Sequence, residues 1–426
     1  MSQKRSENNN NKKKSNKAPI KYPELQPLWI GLFIDILGFY IIIPYLNELR
    51  IIYNTTPVVI GILMATNAVF SLFSAPIWGK LSDKYGRKPT LLVAEAGTFT
   101  AFLLLAFSNN LGLLFFARIF DGIFGGNYPI TKAIITDSVP PRDRGVQMTN
   151  FGVVHTLAGV IAPALVGLLS IFRIFPPEFP LALPGFVSAG MSFLTMIVTV
   201  FFIQESWPKS SREQAETDIK IEIHILKNKN ALYLLTQYFF HTVSFMLYVG
   251  TLSMFIGFIL GLDTFGVSMF LLISGISRAI MRFTVFKPTL NKLGEKNTTI
   301  LGLSILVIFP LLIGICGTFY RELWIIIILM VFVSYGVSCA RGLLMSKITE
   351  TVSPKERGKI NGYATTMDSI GQIVGPILGI FLIQSFPTIW YGILMSILAF
   401  IAFIMVFKKI TLTPMEEYSI KRSDNH

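Results

Sequence analysis

Long hydrophobic runs alternate with short polar stretches along nearly the whole chain. Each run is continuous and lacks the two-residue alternation of a membrane β-strand. About 20 apolar residues are needed for an α-helix to cross a bilayer, and backbone groups in lipid must be satisfied within the segment. We therefore predict an all-α polytopic membrane protein with twelve transmembrane helices, at approximately 28–47, 57–78, 90–108, 111–136, 146–171, 185–203, 231–258, 265–286, 299–318, 323–346, 360–384 and 388–407.

One polar interruption is much longer than the others and lies between the sixth and seventh predicted spans. It divides the chain into two sets of six helices. Within it, residues 219–226 alternate apolar and polar side chains, which favours a segment lying on the membrane surface. The predicted organisation is a disordered basic N-terminus at 1–27, a six-helix half at 28–203, a linker at 204–230, a second six-helix half at 231–407 and a tail at 408–426.

Composition agrees with a membrane protein. The 426 residues are 52% hydrophobic and 14% charged, whereas a soluble domain carries roughly 25% charged residues. The two cysteines, Cys316 and Cys339, fall inside predicted spans, so we expect neither a disulfide nor a metal site, and no cofactor. The polar first 27 residues do not resemble a cleavable signal peptide.

The basic residues lie mainly on one side of the predicted topology. With both termini in the cytoplasm, the outer loops hold only Arg50, Arg173 and Arg321, as the positive-inside rule requires. This asymmetry explains the net charge of +13 and argues against a nucleic-acid partner. We expect a multi-pass protein of the cell membrane with both termini in the cytoplasm.

The loop between the second and third spans, Gly79–Pro89, carries five charges, two glycines and a proline. It resembles the G-x-L-(S/A)-D-(R/K)-x-G-R-(R/K)-x signature of the major facilitator superfamily, with matches that include Gly79, Asp83, Gly86 and Arg87. The resemblance implies two pseudo-symmetric six-helix halves and secondary active transport by alternating access, with no catalytic residues and no enzyme activity.

The same resemblance implies a gate on the cytoplasmic face. Asp83 is expected to cap the N-terminus of helix 11 near Lys359, where the helix dipole is positive. Arg87 is expected to pair with Asp137 at the end of helix 4, and Arg144 belongs to the same group of charges.

Internal repetition supports the two-half organisation independently. Residues 136–145, which end in Arg144-Gly145, align with residues 349–358 at an offset of 213, and 291–296 resembles a worn copy of 83–88. Repeats of six helices in parallel are the arrangement of major facilitator transporters.

Intramembrane charges are expensive and mark candidate functional positions. Asp35-x-x-Gly38 followed by Pro44 resembles helix 1 of drug/H⁺ antiporters such as the tetracycline exporters, and Arg118-x-x-x-Gly122 resembles their helix 4 signature. We expect Asp35 to bind the transported proton, with Arg118 as its basic neighbour. Asp35 near the inner interface, reaching water, is the alternative. The family usually has no acid at Asp121, which either neutralises Arg118 or titrates itself.

Two further polar residues occupy equivalent positions in the two halves. His155 and Asp368 are related by the same offset and lie near the middle of helices 5 and 11. They predict a substrate or proton site across the cavity, or else hydrogen bonds between helices. The other cavity candidates, open to the same two interpretations, are Asn67, Asn127, Tyr128, Gln237, His241, Tyr248 and Gln372.

Three more charged residues have simpler interpretations. Glu95 lies early in helix 3 and is expected to pair with a basic loop residue. Arg278 and Arg282 lie towards the cytoplasmic end of helix 8, where reaching the interface is favoured over binding an anion.

Small residues flank a proline in two helices. Gly371-x-x-x-Gly375-Pro376-x-x-Gly379 in helix 11 resembles the antiporter signature G-x-x-x-G-P-x-x-G-G, while helix 5 has a weakened form around Ala162-Pro163. We therefore expect a monomeric transporter that exports amphipathic drug-like compounds in exchange for protons. The alternatives are proton-coupled uptake of a sugar or organic anion, and a receptor or scaffold that does not transport.

Overall fold

The computed structural model describes residues 22–140, 143–172, 174–206, 228–352 and 357–408, so the predicted surface segment at 219–226 and both termini lie outside the described residues. The membrane-crossing helices are α1a Gln26–Tyr40 with α1b Leu46–Ile52, α2 Pro57–Tyr85, α3 Arg87–Ala106, α4a Leu111–Ile123 with α4b Asn127–Ser138, α5 Arg144–Leu169, α6 Ala182–Phe202, α7 Lys229–Met254, α8 Thr264–Ile280, α9 Phe286–Phe319, α10 Leu323–Glu350, α11 Arg357–Ser385 and α12 Thr388–Met405.

Each predicted span corresponds to one of these helices. Within the described residues, ten stretches are long and apolar enough to cross a membrane. One of them, Thr264–Phe319, is 56 residues long and contains both the eighth and the ninth crossing, with the turn between them at Gly294, where φ is 74° and the helical geometry of α9 is interrupted. The fourth crossing is broken into α4a and α4b, each shorter than a membrane-spanning helix. The twelve-helix fold predicted from the sequence is therefore confirmed.

The break in helix 4 falls at residues 124–126 and is stabilised by helix 2. A broken helix in lipid leaves carbonyl groups that need other donors. The carbonyl of Gly122 accepts from the Ser74 hydroxyl at 2.8 Å, and that of Ile123 accepts from the indole of Trp78 at 2.7 Å. A Cβ on Gly122 would lie 2.7 Å from the Asn67 carbonyl oxygen, so glycine is needed for this close approach.

Each half has its own hydrophobic core. One cluster of buried side chains runs from Leu25 to Ile203, with Met254 and Ile380 packed on it, and the other runs from Ala231 to Ala402. The halves meet where α2 packs on α11 and α5 packs on α8. Many large apolar side chains remain exposed on the outside of the bundle, where lipid would cover them, including Phe73, Ile77, Phe201, Phe202, Trp324 and Phe400.

The two halves are joined by hydrogen bonds at the end of the bundle opposite the α2–α3 turn. The Ser253 hydroxyl donates to the Ile43 carbonyl at 2.7 Å, next to the break that Pro44 makes in helix 1. The Thr264 hydroxyl donates to the carboxylate of Glu48, and the side chain of Gln384 accepts from the backbone of Val58 at 3.1 Å. This end is therefore closed in the structure.

Candidate functional site

Asp35 lies inside the N-terminal half and is held by a neutral donor. The Nδ2 of Asn127 donates to Asp35 Oδ2 at 2.7 Å and also lies 3.3 Å from the Thr98 hydroxyl. The other oxygen, Oδ1, is buried and has no hydrogen-bond partner. Asn127 is the first residue of α4b, directly after the break in helix 4, so the carboxylate bonds to the helix at its break.

Arg118 pairs with Asp121, which is the first of the two alternatives that the sequence left open for this acid. Its Nη1 lies 3.5 Å from Asp121 Oδ2, and both side chains are buried. The amide of Asn67 donates to the same oxygen at 2.8 Å. The two charges therefore compensate each other within α4a, with α2 supplying the additional donor.

Glu95 also differs from the sequence-based expectation. It is 2% exposed and accepts from the Thr199 hydroxyl of α6 at 2.7 Å, while its Oε2 is buried without a partner. The predicted basic loop partner is absent from the described residues because Glu95 lies two turns inside α3, facing α6. The charge of Asp35 acts on Glu95, so the two carboxylates lie in one region of the N-terminal half.

Asp368 forms the polar centre of the C-terminal half. It accepts from Arg341 Nη2 at 2.9 Å, from the Tyr238 hydroxyl at 3.0 Å and from the Thr242 hydroxyl at 3.4 Å. Arg341 was missed at the sequence level, although it is an intramembrane charge in the tenth predicted span and met the criterion that selected Asp35. The side chains of Arg341 and Asp368 remain 29% and 23% exposed, so an opening reaches them.

His155 and its neighbours form the matching region of the N-terminal half. Its Nδ1 lies 3.3 Å from the Tyr40 hydroxyl, and its ring packs edge-on against Tyr128 with centroids 6.0 Å apart. Lys132, a second charge that sequence reasoning missed, lies 4.4 Å above the Tyr128 ring and donates to Thr365 of α11 at 3.0 Å. The Lys132 contact joins the two halves at the middle of the bundle.

The remaining cavity candidates separate into different environments. Gln237 follows the second interpretation, because its side-chain amide donates to the Ala402 carbonyl of α12 at 2.8 Å and so joins two helices. His241 is fully buried against Phe245, and neither ring nitrogen has a partner. Tyr248 is buried near the charge of Arg278. Gln372 is exposed one turn beyond Asp368 on the same face of α11.

The loop between α2 and α3 carries a compact set of ion pairs. Arg87 donates to Asp83 at 2.6 Å, to the buried Ser82 hydroxyl at 2.7 Å and to Asp137 at 2.8 Å. The turn itself is Gly86, whose φ of 106° suits glycine, and Gly79 faces open space. The Arg87–Asp137 contact matches the pairing expected from the sequence.

The N-terminus of α3 is capped by Glu205, which was not among the residues predicted from the sequence. Both oxygens of Glu205 accept from the first backbone N–H groups of α3, from Arg87 at 2.8 Å and from Lys88 at 3.3 Å. Asp83 was expected to contact the start of α11, but residues 353–356 and the side chains of 357–359 lie outside the described part of the chain. The side chain of Arg144 also lies outside it.

The glycine-proline motif of helix 11 brings α11 against α7. A Cβ on Gly375 would lie 2.7 Å from the backbone of Met246, and one on Gly379 would lie 2.6 Å from the side chain of Thr251. In the other half, Gly159 of α5 approaches Gly275 of α8, where an added Cβ on Gly275 would lie 2.6 Å from the Gly159 carbonyl oxygen. Small residues therefore determine both of these contacts.

The family model of the Major Facilitator Superfamily matches residues 28–350 and 285–424, which together span most of the chain. This protein is a member of the Major Facilitator Superfamily. It is therefore a membrane transporter and not an enzyme.

Curated relatives and solved structures agree with this family. The chain is 26% identical over 372 residues to "Multidrug resistance protein MdtG" of Proteus mirabilis, covering 84% of this chain and 89% of the relative. It is 26% identical over 369 residues to "Tetracycline resistance protein, class H" of Pasteurella multocida, covering 85% and 89%. The D-xylose–proton symporter structure superposes with a TM-score of 0.73 at 13% identity, covering 91% and 97%, and shows the fold alone.

Proposed function

We propose that this transporter exports small amphipathic organic compounds in exchange for protons. The observation that carries the proposal is the environment of Asp35, a carboxylate inside a membrane-spanning helix whose hydrogen-bond donor is a neutral amide and whose second oxygen has no partner. An ionised carboxylate in such a place is costly, and binding a proton removes that cost. The similarity to drug and tetracycline resistance proteins supports export as the direction.

The position of Asp35 connects protonation to movement. Asn127 donates to the ionised carboxylate and begins α4b, directly after the break at 124–126. When Asp35 takes up a proton, its carboxyl gains a donor and the bond from Asn127 weakens, because a charge-assisted hydrogen bond becomes a neutral one. Helices 1 and 4 are both interrupted. A change in the hydrogen bond between Asn127 and Asp35 can therefore reorient α1a and α4b with little loss of hydrogen bonds within the helices.

The charged residues Asp83, Arg87 and Asp137, with Gly79 and Gly86 of the same loop motif, are proposed to form the cytoplasmic gate, and Arg144 is its outer member. In the described conformation Arg87 binds Asp83 and Asp137 within the N-terminal half, and the opposite end of the bundle is closed. A gate that closes the cytoplasmic face when the cavity faces outward needs these charges to reach the other half. The predicted cap by Asp83 on α11 is that contact.

We propose that both termini and the 204–230 linker lie in the cytoplasm. The protein is proposed to be a monomer in the plasma membrane. The basic residues of the α2–α3 loop support this orientation. An impermeant thiol reagent applied to sealed, right-side-out cells should leave cysteines introduced at Ser15, Ser211 and Ser423 unlabelled. Labelling at Ser211 from outside would reverse the orientation.

The transport proposal is tested with the purified protein in liposomes. A panel of acidic, neutral and basic aromatic solutes is offered with an imposed pH gradient, without one, and with a protonophore as the control. We expect at least one solute to move against its concentration gradient in the direction opposite to proton flow, and the protonophore to abolish this. Accumulation in the direction of proton flow would indicate a symporter. Transport indifferent to the pH gradient would overturn proton coupling.

A further inference from the structure

Charged side chains at the centre of the bundle are strongly unbalanced. Four cations face this region: Lys132 of α4b, Arg278 of α8, Arg341 of α10, and Arg282 of the segment Met281–Val285 that follows α8. Asp368 is the carboxylate whose charge reaches both Lys132 and Arg341. The charge of Arg341 also acts on Tyr40 and Tyr128 of the other half, which places this imbalance between the halves.

Asp368 has little remaining capacity to balance these cations. It is already bonded to Arg341, and the hydroxyls of Tyr238 and Thr242 donate to the same carboxylate. Within the described ranges, Lys132, Arg278 and Arg282 form no ion pair. A cation inside a membrane protein is costly unless it finds a counter-charge, so the region lacks negative charge.

Lys132 is arranged as an open anion-binding group. Lys132 is partly buried, and its ammonium lies above Tyr128 at 4.4 Å and near the Phe151 ring at 5.7 Å. One described hydrogen bond, to the Thr365 hydroxyl at 3.0 Å, occupies it. An ammonium has three donors, so donors remain for a ligand.

Arg278 of α8 and Arg282, four residues further along the chain, supply further positive charge on the same region. Arg282 and Arg341 lie close enough for each like charge to act on the other. The guanidinium of Arg282 rests against Gly152 of α5, where an added Cβ would lie 2.8 Å from its Nη2. Arg278 reaches Ser274 at a long 3.5 Å, and its charge acts on Tyr40. These contacts show that the two arginines point into the bundle, which corrects the expectation that they reach the interface.

Flat aromatic surfaces surround the cations. The guanidinium of Arg341 lies 5.0 Å from the centre of the Phe245 ring, while Tyr128 packs against Phe151 with centroids 4.9 Å apart. We propose that this central region binds a small organic anion with a planar aromatic body, its carboxylate held by Lys132 and the arginines and its ring lying among the aromatic side chains. This inference names the substrate class of the proposed transporter, and the claim that the anion is exported rests on the proposed function. Binding of the anion does not depend on the direction of transport.

Three naphthalene probes of nearly equal size test the charge preference. Binding of 1-naphthoate, 1-naphthamide and 1-naphthylmethylammonium to the purified full chain in detergent is measured by calorimetry. We expect the anionic naphthoate to bind at least tenfold more tightly than the amide, and the cation to bind most weakly. Equal affinity for naphthoate and amide, or preference for the cation, would overturn the proposal.

Variants locate the binding site. Lys132→Gln keeps a donor for Thr365 but removes the charge, and we expect it to weaken naphthoate binding about tenfold while changing amide binding less than twofold. Lys132→Arg should recover most of the affinity. Arg282→Gln should act like Lys132→Gln, whereas Lys292→Gln, at an exposed lysine of the loop before the ninth span, is the control. Equal loss for both probes, or no loss in either variant, would contradict the site.

The binding assay separates this proposal from the transport proposal. Tight naphthoate binding with pH-independent transport would support the anion site and overturn proton-coupled export. If the protein does not bind naphthoate but exports a neutral or basic solute against its gradient, proton-coupled export stands and the anion site is overturned. Protein folding is checked in every variant by its thermal transition, so that loss of binding is not confused with unfolding.

Discussion

In the N-terminal half Asp35 and Glu95 have no cationic partner among the described residues, whereas in the C-terminal half Asp368 is paired with Arg341. Asp35 and Glu95 each have a neutral donor and one unpartnered oxygen. Asp368 is bonded directly to Arg341, and both side chains stay partly exposed. A carboxylate without a cationic partner can bind a proton, while a carboxylate paired with an arginine holds that arginine in place for a ligand. We therefore propose that the N-terminal half binds the proton and that the charged group of the substrate binds between the halves, near Asp368.

The α2–α3 turn and the turn at Gly294 show the same contrast between related sequences. Gly86 has φ 106° and Gly294, in the worn copy, has φ 74°, so both turns keep a glycine conformation. The charges differ, however, since Arg87 makes a buried network with Ser82 and Asp137 while Glu295 and Lys296 are exposed. Both halves therefore share the backbone conformation of this turn. The ion-pair network lies at the α2–α3 turn of the N-terminal half.

Arg118→Ala should have the largest effect on stability, because it leaves Asp121 buried without a counter-charge. Breaking a buried pair by removing one partner costs about 3–5 kcal/mol. The matched change Arg341→Ala should cost less than half as much, because Asp368 is partly exposed and keeps two hydroxyl donors. Thermal unfolding in detergent measures both. Equal destabilisation would show that the two pairs are enclosed to the same degree.

Arg87→Gln should slow transport about tenfold, equivalent to ~1.4 kcal/mol on the barrier, because it removes the ion pairs of the gate while expression is maintained. Lys296→Gln, in the corresponding loop of the second half, should change the rate less than twofold. Initial transport rates normalised to protein in the membrane provide the comparison. If the two variants transport equally well, the network at Arg87 is incidental to gating.

Gly86→Ala and Gly294→Ala should each reduce stability by about 1–3 kcal/mol, because both positions have φ values that side chains with a Cβ rarely adopt. The two losses should be similar, since the turns share their backbone conformation. Transport should fall further in Gly86→Ala alone, because its turn positions Arg87. Thermal transitions and initial rates distinguish the two effects, and a stable Gly294→Ala protein would contradict the shared conformation.

Hydropathy located all twelve helices because the bilayer imposes one length and one polarity on every span. The pairing of Arg87 with Asp137 was implied by the resemblance of the α2–α3 loop to the family signature, and the structure shows that contact. Partners inside the bundle could not be predicted, since they depend on how each helix is rotated. Asn127, not Arg118, therefore binds Asp35, and Gln237 binds α12.

Other features of the site were accessible from the sequence but were not used. Lys132 and Arg341 are charges inside predicted spans and carry the same signal as Asp35. Glu95 was placed near a loop because its distance from the helix start was judged along the chain. The structure begins α3 at Arg87, so Glu95 lies two turns inside, where α6 and not the loop supplies its partner.

The division of roles between the halves is tested most directly by comparing Asp35→Asn with Arg282→Gln in liposomes. For each variant, uphill transport driven by a pH gradient is measured beside downhill exchange of the same solute. Asp263→Asn, which keeps the cap of α8 through its side-chain oxygen, is the control and should resemble the parent. We predict that Asp35→Asn loses uphill transport and keeps part of the exchange, while Arg282→Gln weakens both through a higher KM and stays proton-driven. Uphill transport surviving in Asp35→Asn would contradict the account and direct the search for coupling to Asp121, His155 or Asp368.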